Sequence, residues 1–460
     1  MRNQREHDVK ALVSRQRACF ETRVTLPLKW RQEQLRALEA AARKHEEAIL
    51  AALKADLAKS PEEAYLTEVG SIYGELKTAL KGVKTWMQPQ KGSAPLVIQP
   101  ARAWQYAEPL GVTLIIAPWN YPYQLSIAPL IGALSAGCTA VLKPSEHAPE
   151  TSRVLARMLG EAFPPEVVSV VEGGVEESRA LLDERWDLIF FTGGTQVGRS
   201  VAEAAARHLT PTVLELGGKS PCIIDRSADL EVTARRIAWG KYVNAGQTCI
   251  APDYVLIPPE LKGRFTELLQ QAVRSFYGDD ARTSSDYGRI VNARHFERIC
   301  ALAADGRIAF GGERDRASRY FAPTVITDAP LTSPLMQEEI FGPLLPLVDC
   351  ASTEEAIRFV RARPKPLALY SFARDAAVNE RVLAETSSGG AVTNDVCVHF
   401  AAEGLPFGGV GESGLGGYHG QASFDAFSHK KSVVKRPFAF DMKLRYPPYT
   451  GKLGLFRRFL

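Results

Sequence analysis

Cys249 stands in a stretch of small and polar residues that could present a reactive thiol. Gly246 lies shortly before it and Pro252 shortly after it, whereas a buried structural cysteine behaves as a small hydrophobe and usually has apolar neighbours. Residues 229–240 have the spacing of an amphipathic helix, and residues 254–257 are typical of a strand that ends at two prolines. The pattern predicts a turn after a helix, where the thiol is either a nucleophile or an inert side chain.

Two polar side chains follow apolar runs, and each could assist a thiol that attacks a carbonyl group. Glu215 closes one such run, where partial desolvation would raise its pKa towards that of a useful base. The alternative is a structural carboxylate paired with Lys219. Asn120 follows another run. Its amide could donate to a developing oxyanion, or it could simply shape a turn between two prolines.

Glycines and charged residues elsewhere suit the binding of a nucleotide. Residues 193–198 are a weak nucleotide signal by themselves, but their glycines would let a pyrophosphate approach a helix N-terminus with its free N–H groups. Lys143 and Glu146 could hold ribose hydroxyls or form an ordinary surface turn. Residues 337–343 place acids beside an aromatic side chain, and residues 405–419 form a glycine-rich loop of the kind that wraps a ligand or a subunit contact.

These groups all need a scaffold, and the apolar runs predict a doubly wound parallel sheet. Strands alternate with helices between residues 112 and 216, which is typical of an α/β fold. The predicted strands are 112–117, 139–142, 167–171, 187–191 and 212–216, and the predicted helices are 125–135, 150–163, 176–183 and 197–209. Such sheets bind ligands beyond the carboxyl ends of their strands. Four strand exits with polar or glycine-rich groups therefore predict a ligand crevice.

The remaining segments predict a second α/β domain and a small arm. Residues 31–57 read as one helix, followed by a second helix that begins at residues 60–63 and runs to about residue 87. Residues 96–100 and 102–106 read as two short extended pieces outside the core. The second half has predicted strands at 254–257, 323–327, 368–372 and 391–394, and predicted helices at 260–276, 353–362 and 375–385.

Composition bounds the class of protein. A chain of 460 residues exceeds one ordinary core, and its net charge of +4 includes no dense basic block that would indicate nucleic acid. Seven cysteines are an odd number without metal-binding spacing, which favours a reducing compartment, no disulfide framework and no metal site. The N-terminus lacks a signal peptide, and the basic residues after 443 exclude a spanning segment.

Taken together, these stretches resemble the aldehyde dehydrogenase superfamily over about residues 30–450. The matching motifs, in the order that the family shows, are residues 118–122, 143–146, 215–219, 246–249, 339–343 and 406–409. Residues 239–254, 388–395, 418–420, 424–429 and 445–448 resemble class 3, the aromatic and fatty aldehyde dehydrogenases. The resemblance implies oxidation of medium-chain aliphatic or aromatic aldehydes to carboxylic acids through a cysteine thiohemiacetal and thioester.

The resemblance also implies a role for each matching residue. Cys249 would be the nucleophile, and Asn120 with the Cys249 backbone N–H would hold the oxyanion. Glu215 matches the usual base, while Glu339 is a second candidate for that role or a partner of the nicotinamide ribose. Residues implied to contact NAD or NADP are Trp119, Lys143, Glu146, Gly193, Gly194, Thr195, Gly198, Gly217, Glu339 and Phe341. Gly194 departs from the Ser or Asn of many relatives, which puts cofactor affinity in doubt.

The expected organisation follows the same resemblance. The dinucleotide-binding domain would comprise residues 1–91 and 109–216, the catalytic domain residues 217–404, and a bridging arm residues 92–108 and 430–450. Homodimers and a cytoplasmic location are expected, with an aldehyde as small-molecule partner and no nucleic acid or integral membrane segment. Two rival functions stay open: a CoA-acylating dehydrogenase, and a non-catalytic scaffold protein.

Overall fold

The computed structural model describes residues 2–402, 404–441 and 443–459. Helices account for much of that part of the chain. In chain order its α-helices are α1 (Arg2–Glu21), α2 (Leu28–Lys44), α3 (Glu46–Leu57), α4 (Pro61–Ala64), α5 (Gly70–Trp86), α6 (Gln124–Ala136), α7 (Pro149–Ala162), α8 (Val175–Leu182), α9 (Thr195–Ala206), α10 (Leu230–Tyr242), α11 (Pro259–Tyr277), α12 (Ala293–Leu302), α13 (Pro334–Gln337), α14 (Thr353–Arg361), α15 (Ala376–Glu385), α16 (Gln421–Ala426) and α17 (Leu453–Phe459).

The strands form two large sheets and two small ones among the described residues. In chain order they are β1 (Gln90–Gly92), β2 (Arg102–Pro109), β3 (Val112–Ile116), β4 (Thr139–Lys143), β5 (Val168–Val170), β6 (Leu188–Thr192), β7 (Thr212–Glu215), β8 (Pro221–Ile224), β9 (Tyr254–Ile257), β10 (Arg307–Phe310), β11 (Arg314–Asp315), β12 (Tyr320–Phe321), β13 (Thr324–Thr327), β14 (Leu344–Asp349), β15 (Ala368–Phe372), β16 (Gly390–Thr393), β17 (Gly414–Leu415) and β18 (Ser428–Lys435).

The predicted doubly wound sheet is confirmed. Its order is β17-β7-β6-β3-β4-β5, and the pairs from β7 to β5 are parallel. Successive residues of β3 belong to different hydrophobic clusters on the two faces of the sheet. Ile115 lies in the cluster that contains Leu130 of α6, and Leu114 lies in the cluster that contains Val201 of α9. Because helices cover both faces, β3 is buried at every position, as parallel strands usually are.

The second large sheet has the order β10-β13-β14-β9-β8-β15-β16 and is parallel except at β10. Strands β8 and β14 were not predicted. Pro221 opens β8 directly after a glycine turn, and Pro346 interrupts β14, so both apolar runs look broken in the sequence. Helix α1 was missed as well, although Val9 and Val13 are buried at helical spacing among many charged residues.

Two local predictions are wrong. The helix expected over residues 31–57 is divided at His45, whose φ of −103° and ψ of 8° end α2 before α3 begins. The extended piece expected at residues 96–100 contains a 3-10 turn, Leu96–Ile98. The Gln99 side chain donates to the carbonyl of Ala94 at 2.8 Å and accepts from the N–H of Ala101 at 2.9 Å, and these local bonds hold the turn closed.

The arm is a small antiparallel sheet with the order β1-β2-β18. It lies close to the predicted segments, but β1 begins before residue 92 and β18 ends at Lys435. The described residues from 436 onward contain a 3-10 turn, Lys443–Arg445, and α17 rather than a strand. The edge position of β18 leaves that side of the sheet unpaired among the residues that the structure describes.

The glycine-rich loop at 405–419 returns to the first sheet, where β17 pairs with β7 opposite Glu215. The carbonyl of Ser413 accepts from the N–H of Leu216 at 3.1 Å. Gly409 lies so close to Ser413 that a Cβ built on it would be 2.1 Å from the Ser413 carbonyl oxygen. The loop therefore closes tightly over the end of β7.

We expect Gly409→Ala to lower the free energy of unfolding by about 1–3 kcal/mol, since overpacking against backbone cannot be relieved by a rotamer change. The matched control is Gly263→Ala on the exposed face of α11, where a Cβ would meet nothing within 4 Å. That change should raise the free energy of unfolding by about 0.5–1 kcal/mol. Denaturant unfolding measures both, and a stabilising Gly409→Ala would contradict the tight closure.

Candidate active site

Cys249 is presented by a strained turn after α10. The 3-10 turn Val243–Gly246 follows the helix, and Asn244, Ala245 and Gly246 have φ values of 51°, 51° and 75°. Successive residues in the left-handed region are costly for side chains other than glycine. The predicted turn is confirmed, and its strain requires contacts from the surrounding structure.

Side-chain hydrogen bonds hold this turn from several directions. Glu63 accepts from the N–H of Asn244 at 2.9 Å, and the Asn244 amide donates to the carbonyl of Asn120 at 2.8 Å. Gln247 is fully buried; its amide donates to the carbonyls of Asn244 and Arg289, each at 3.0 Å, and accepts from the N–H of Val291 at 2.9 Å. The backbone before Cys249 is therefore fixed before any substrate binds.

Asn120 lies directly beside this turn. Its side-chain amide donates to the carbonyl of Gln247 at 3.0 Å, and the next residue, Tyr121, makes a 2.6 Å hydrogen bond with the Thr248 hydroxyl. One N–H of the Asn120 amide remains for another acceptor. The structure thus brings together Asn120 and the cysteine turn, which are far apart in sequence.

Glu215 and Glu339 both act on the Cys249 thiol. Burial raises the pKa of Cys249, and the two carboxylates raise it further. Burial also raises the pKa of Glu215 well above its usual range, and neither of its carboxyl oxygens has a hydrogen-bond partner within the described chain. The alternative pairing with Lys219 is wrong, because Lys219 pairs with Asp253.

Glu339 lies against the glycine turn that follows β7. A Cβ at Gly217 would be 1.9 Å from a Glu339 carboxylate oxygen, so only glycine leaves room for this carboxylate. Burial, with a smaller contribution from the Asp253 carboxylate, raises the pKa of Glu339 to about 8. Phe341, with a φ of 48°, packs edge-on to Trp119 with ring centroids 5.2 Å apart.

The first sheet offers groups that fit a dinucleotide at its carboxyl edge. Helix α9 begins at Thr195, and no side chain of the described residues caps its N-terminus at Gly194. A Cβ at Gly194 would meet nothing within 4 Å, so this position has open space, and Ser or Asn would fit there. The buried Lys143 ammonium donates to the carbonyl of Pro144 at 2.7 Å and lies 3.4 Å from Glu146.

A cavity of about 420 Å³ leads to Cys249. Its wall is mainly apolar, with Ile72, Leu125, Trp239 and Phe400 among the lining side chains. The sequence did not reveal Ile72, Leu125 and Phe400 as lining residues, because they come from segments that are distant in the chain and have ordinary core-type side chains. Trp239 and Tyr121, by contrast, belong to stretches that carry the family resemblance, 239–254 and 118–122.

A doubly wound sheet with an uncapped helix start at Gly194, beside a cysteine and two desolvated carboxyl groups, fits an enzyme that binds a dinucleotide and acts on a carbonyl compound. The model of the aldehyde dehydrogenase family matches residues 1–433. The chain belongs to the aldehyde dehydrogenase family. It oxidises aldehydes to carboxylic acids with NAD or NADP.

Individual relatives match over nearly their whole length. Mouse aldehyde dehydrogenase family 3 member A2 is 48% identical over 95% of this chain and 90% of its own. The dimeric NADP-preferring aldehyde dehydrogenase of dog is 45% identical over 97% of this chain and 99% of its own. The structure of the substrate-bound state of Staphylococcus aureus AldH superposes with a TM-score of 0.96 at 43% identity. The match covers 98% of this chain and 99% of that one. The resemblance to class 3 is therefore confirmed.

Within residues 2–402, 404–441 and 443–459, no helix combines the length and apolar character needed to cross a bilayer. The same residues contain no cluster of three or more His, Cys, Asp or Glu side chains that could hold a metal ion.

The raised pKa of Glu339 predicts a pH-dependent cost to stability. In the unfolded chain this carboxyl ionises near its ordinary pKa of about 4.5, whereas in the folded chain it keeps its proton up to about 8. The folded state binds more protons over that interval, so its stability falls as pH rises through it. We expect Glu339→Gln to raise the Tm of the apo chain at pH values above that interval and to change it little at the acidic end. A Tm difference that is the same at all pH values would contradict the raised pKa.

Proposed function

We propose that Cys249 is the nucleophile of the aldehyde oxidation and that Asn120 and the Cys249 backbone N–H stabilise the oxyanion. The observation that carries this proposal is the convergence of a half-buried thiol, two desolvated carboxyl groups and an amide beside one rigid turn. Thiolates attack carbonyl carbons readily and leave thioesters readily. The same thiol therefore suits both halves of the reaction.

The steps follow from these groups. The Cys249 thiol loses its proton to a neighbouring carboxylate, and from there to solvent, as the sulfur forms a bond to the aldehyde carbon. The carbonyl oxygen becomes an oxyanion that accepts hydrogen bonds from Asn120 and the Cys249 N–H. The hydride of this carbon would leave to NAD or NADP when that cofactor is bound, which is the chemistry the cofactor supplies. The oxyanion electrons reform the carbonyl group, which gives a thioester. Water then attacks the thioester, a carboxylate takes the proton of the water, and the acid departs as the thiol is restored.

We assign the role of base to Glu215 and keep Glu339 as the alternative. Both oxygens of Glu215 are buried without a partner in the described chain, so this carboxylate is free to accept a proton from water. Glu339 accepts from the backbone N–H of Gly218, which favours a fixed position beside the nicotinamide ribose. A desolvated carboxyl group with a raised pKa suits general-base catalysis near neutral pH.

The residues that would hold the cofactor are those of the sheet edge. Thr195, Gly193, Gly194 and Gly198 would admit the pyrophosphate at the start of α9, because its free N–H groups attract an anion. Lys143 and Glu146 would contact the ribose of the adenosine.

The nicotinamide would lie on the other side of the crevice. Trp119, Phe341 and Gly217 would bound it together with Glu339, whose carboxylate already rests on Gly217. The perpendicular packing of the Trp119 and Phe341 rings would give this part of the crevice a fixed apolar wall.

We further propose medium-chain aliphatic or aromatic aldehydes as substrates. A mainly apolar cavity of about 420 Å³ suits a substrate that buries hydrocarbon and presents one polar group at its end. A homodimer is proposed as well, supported by the unpaired edge of β18 and by the printed name of the dog relative. Seven free cysteines favour a reducing compartment such as the cytoplasm.

The two large sheets support the proposed division into domains. Residues 1–91 and 109–216 would form the dinucleotide-binding domain, residues 217–404 the catalytic domain, and residues 92–108 and 430–450 the arm. The return of β17 to the first sheet adds the loop at 405–419 to the contacts between the two domains.

Cys249→Ala should abolish turnover, because alanine cannot form the covalent intermediate. Cofactor reduction is followed by absorbance with benzaldehyde, hexanal and decanal, first with NAD and then with NADP, for wild type and variant. Hexanal, decanal or benzaldehyde should be oxidised to free acid by wild type without CoA. Equal turnover in both proteins would refute the nucleophile, a requirement for CoA would favour the acylating alternative, and inert wild type would favour the non-catalytic one.

A further inference from the structure

Behind Asn120 lies an ion pair that the reaction scheme does not use. Lys59 and Glu68 are both fully buried, and the Lys59 ammonium lies 2.6 Å from a Glu68 carboxylate oxygen. We propose that Lys59 and Glu68 are positioning residues that hold Asn120 in the orientation needed to stabilise the oxyanion. This inference rests on the proposed role of Asn120.

Lys59 contacts Asn120 directly. Its ammonium donates to the Asn120 backbone carbonyl at 3.1 Å and lies 3.9 Å from the centre of the Tyr121 ring. A cation over an aromatic face is attracted by it. Since the Tyr121 hydroxyl in turn contacts Thr248 at 2.6 Å, Lys59 restrains both the amide residue and the residue that links it to the cysteine turn.

Glu68 fixes the chain on the other side of Asn120. One carboxylate oxygen accepts from the backbone N–H groups of Tyr123 at 2.9 Å and Gln124 at 3.2 Å. These N–H groups open α6, whose preceding residue provides no side-chain cap. A carboxylate at the positive end of a helix is stabilised by the helix dipole. The segment from Asn120 to Gln124 is therefore held at both ends by one buried pair.

Local backbone geometry places Glu68 there. It lies in a π-helical turn, Tyr65–Val69, between α4 and α5, and such turns insert one extra residue and often mark functional sites. The neighbouring Glu63 holds the N–H of Asn244 at 2.9 Å. One helical segment thus supports both the amide and the cysteine turn.

Stability alone does not explain a buried ion pair. Replacing such a pair by neutral side chains of similar volume is often neutral or stabilising, because the desolvation of two charges is costly. Removing Lys59 would still leave the Asn120 carbonyl an acceptor for the Asn244 amide at 2.8 Å. The pair therefore contributes mainly a fixed orientation.

The test compares two reactions of the same thiol in the variant Lys59→Met/Glu68→Gln. Aldehyde oxidation passes through an oxyanion, whereas alkylation of Cys249 by iodoacetamide does not. Positioning predicts that kcat for hexanal falls about 10- to 100-fold, while the alkylation rate and the KM for the cofactor change less than about twofold. In an Asn120→Ala background the same double change should add no further loss, since coupled residues are non-additive.

Controls separate positioning from folding. The control variant Arg17→Met/Asp187→Asn removes a different ion pair, whose charged atoms lie 2.9 Å apart. Its carboxylate also accepts from a backbone N–H, that of Val112, at the amino ends of the strands. This variant should leave kcat unchanged. If the Lys59 and Glu68 variant does not fold, Glu68→Asp keeps the charge but withdraws the carboxylate, and it should lower kcat without slowing alkylation.

Three results would overturn the inference. The first is a kcat that is unchanged in Lys59→Met/Glu68→Gln although Asn120→Ala lowers it. The second is an equal fall in kcat and alkylation rate, which indicates general damage. The third is a full additional loss in the Asn120→Ala background. If Asn120→Ala itself keeps full turnover, the proposed role of Asn120 fails instead, which is a distinguishable result.

Discussion

The site depends on one constraint: the backbone before Cys249 must keep Asn244, Ala245 and Gly246 in the left-handed region. For Asn244 and Ala245 this conformation costs about 1–3 kcal/mol each and persists only where the surroundings determine it, whereas Gly246 adopts it at little cost. The contacts that do so come from Glu63, from Gln247 and from the Asn120 carbonyl. The oxyanion donor and the nucleophile are therefore parts of one rigid network.

Electrostatics at the thiol follow from burial. Glu215 and Glu339 have raised pKa values, and both carboxylates also raise that of Cys249. Like charges in a desolvated space cannot all ionise together, so ionisation of one of these groups disfavours ionisation of the others. This arrangement suits a reaction in which a nucleophile acts first and a base acts later.

Elements that depend on residues close in sequence were easier to predict than those that depend on contacts between distant residues. Strands β3, β4, β6 and β7 were predictable because apolar runs of this kind are local signals, and the groups at their carboxyl ends followed from the parallel topology. Pro346 hid β14, and side-chain bonds of Gln99 produced a turn where β-branched residues favoured a strand. These errors arise where one local contact outweighs composition.

Tertiary pairing explains what the sequence could not reveal. Ser60 was recognisable as a helix cap, and it accepts from the N–H of Glu63 at 3.2 Å. Lys59 and Glu68 lie only nine residues apart, but their contacts with Asn120 and Tyr123, and that of Glu63 with Asn244, were not recognisable, because these partners lie far along the chain and the segment looks like a charged helix surface. The lining of the cavity was hidden for the same reason.

The most direct test of the mechanism is to trap the acyl group on Cys249. Glu215→Gln is mixed with aldehyde and NAD, quenched in acid and digested, and the peptide with Cys249 is weighed by mass spectrometry. Our account predicts an acyl thioester on this cysteine, with a stoichiometric burst of reduced cofactor followed by slow turnover. Absence of both adduct and burst would contradict it, and an adduct that accumulates only in Glu339→Gln would transfer the role of base to Glu339.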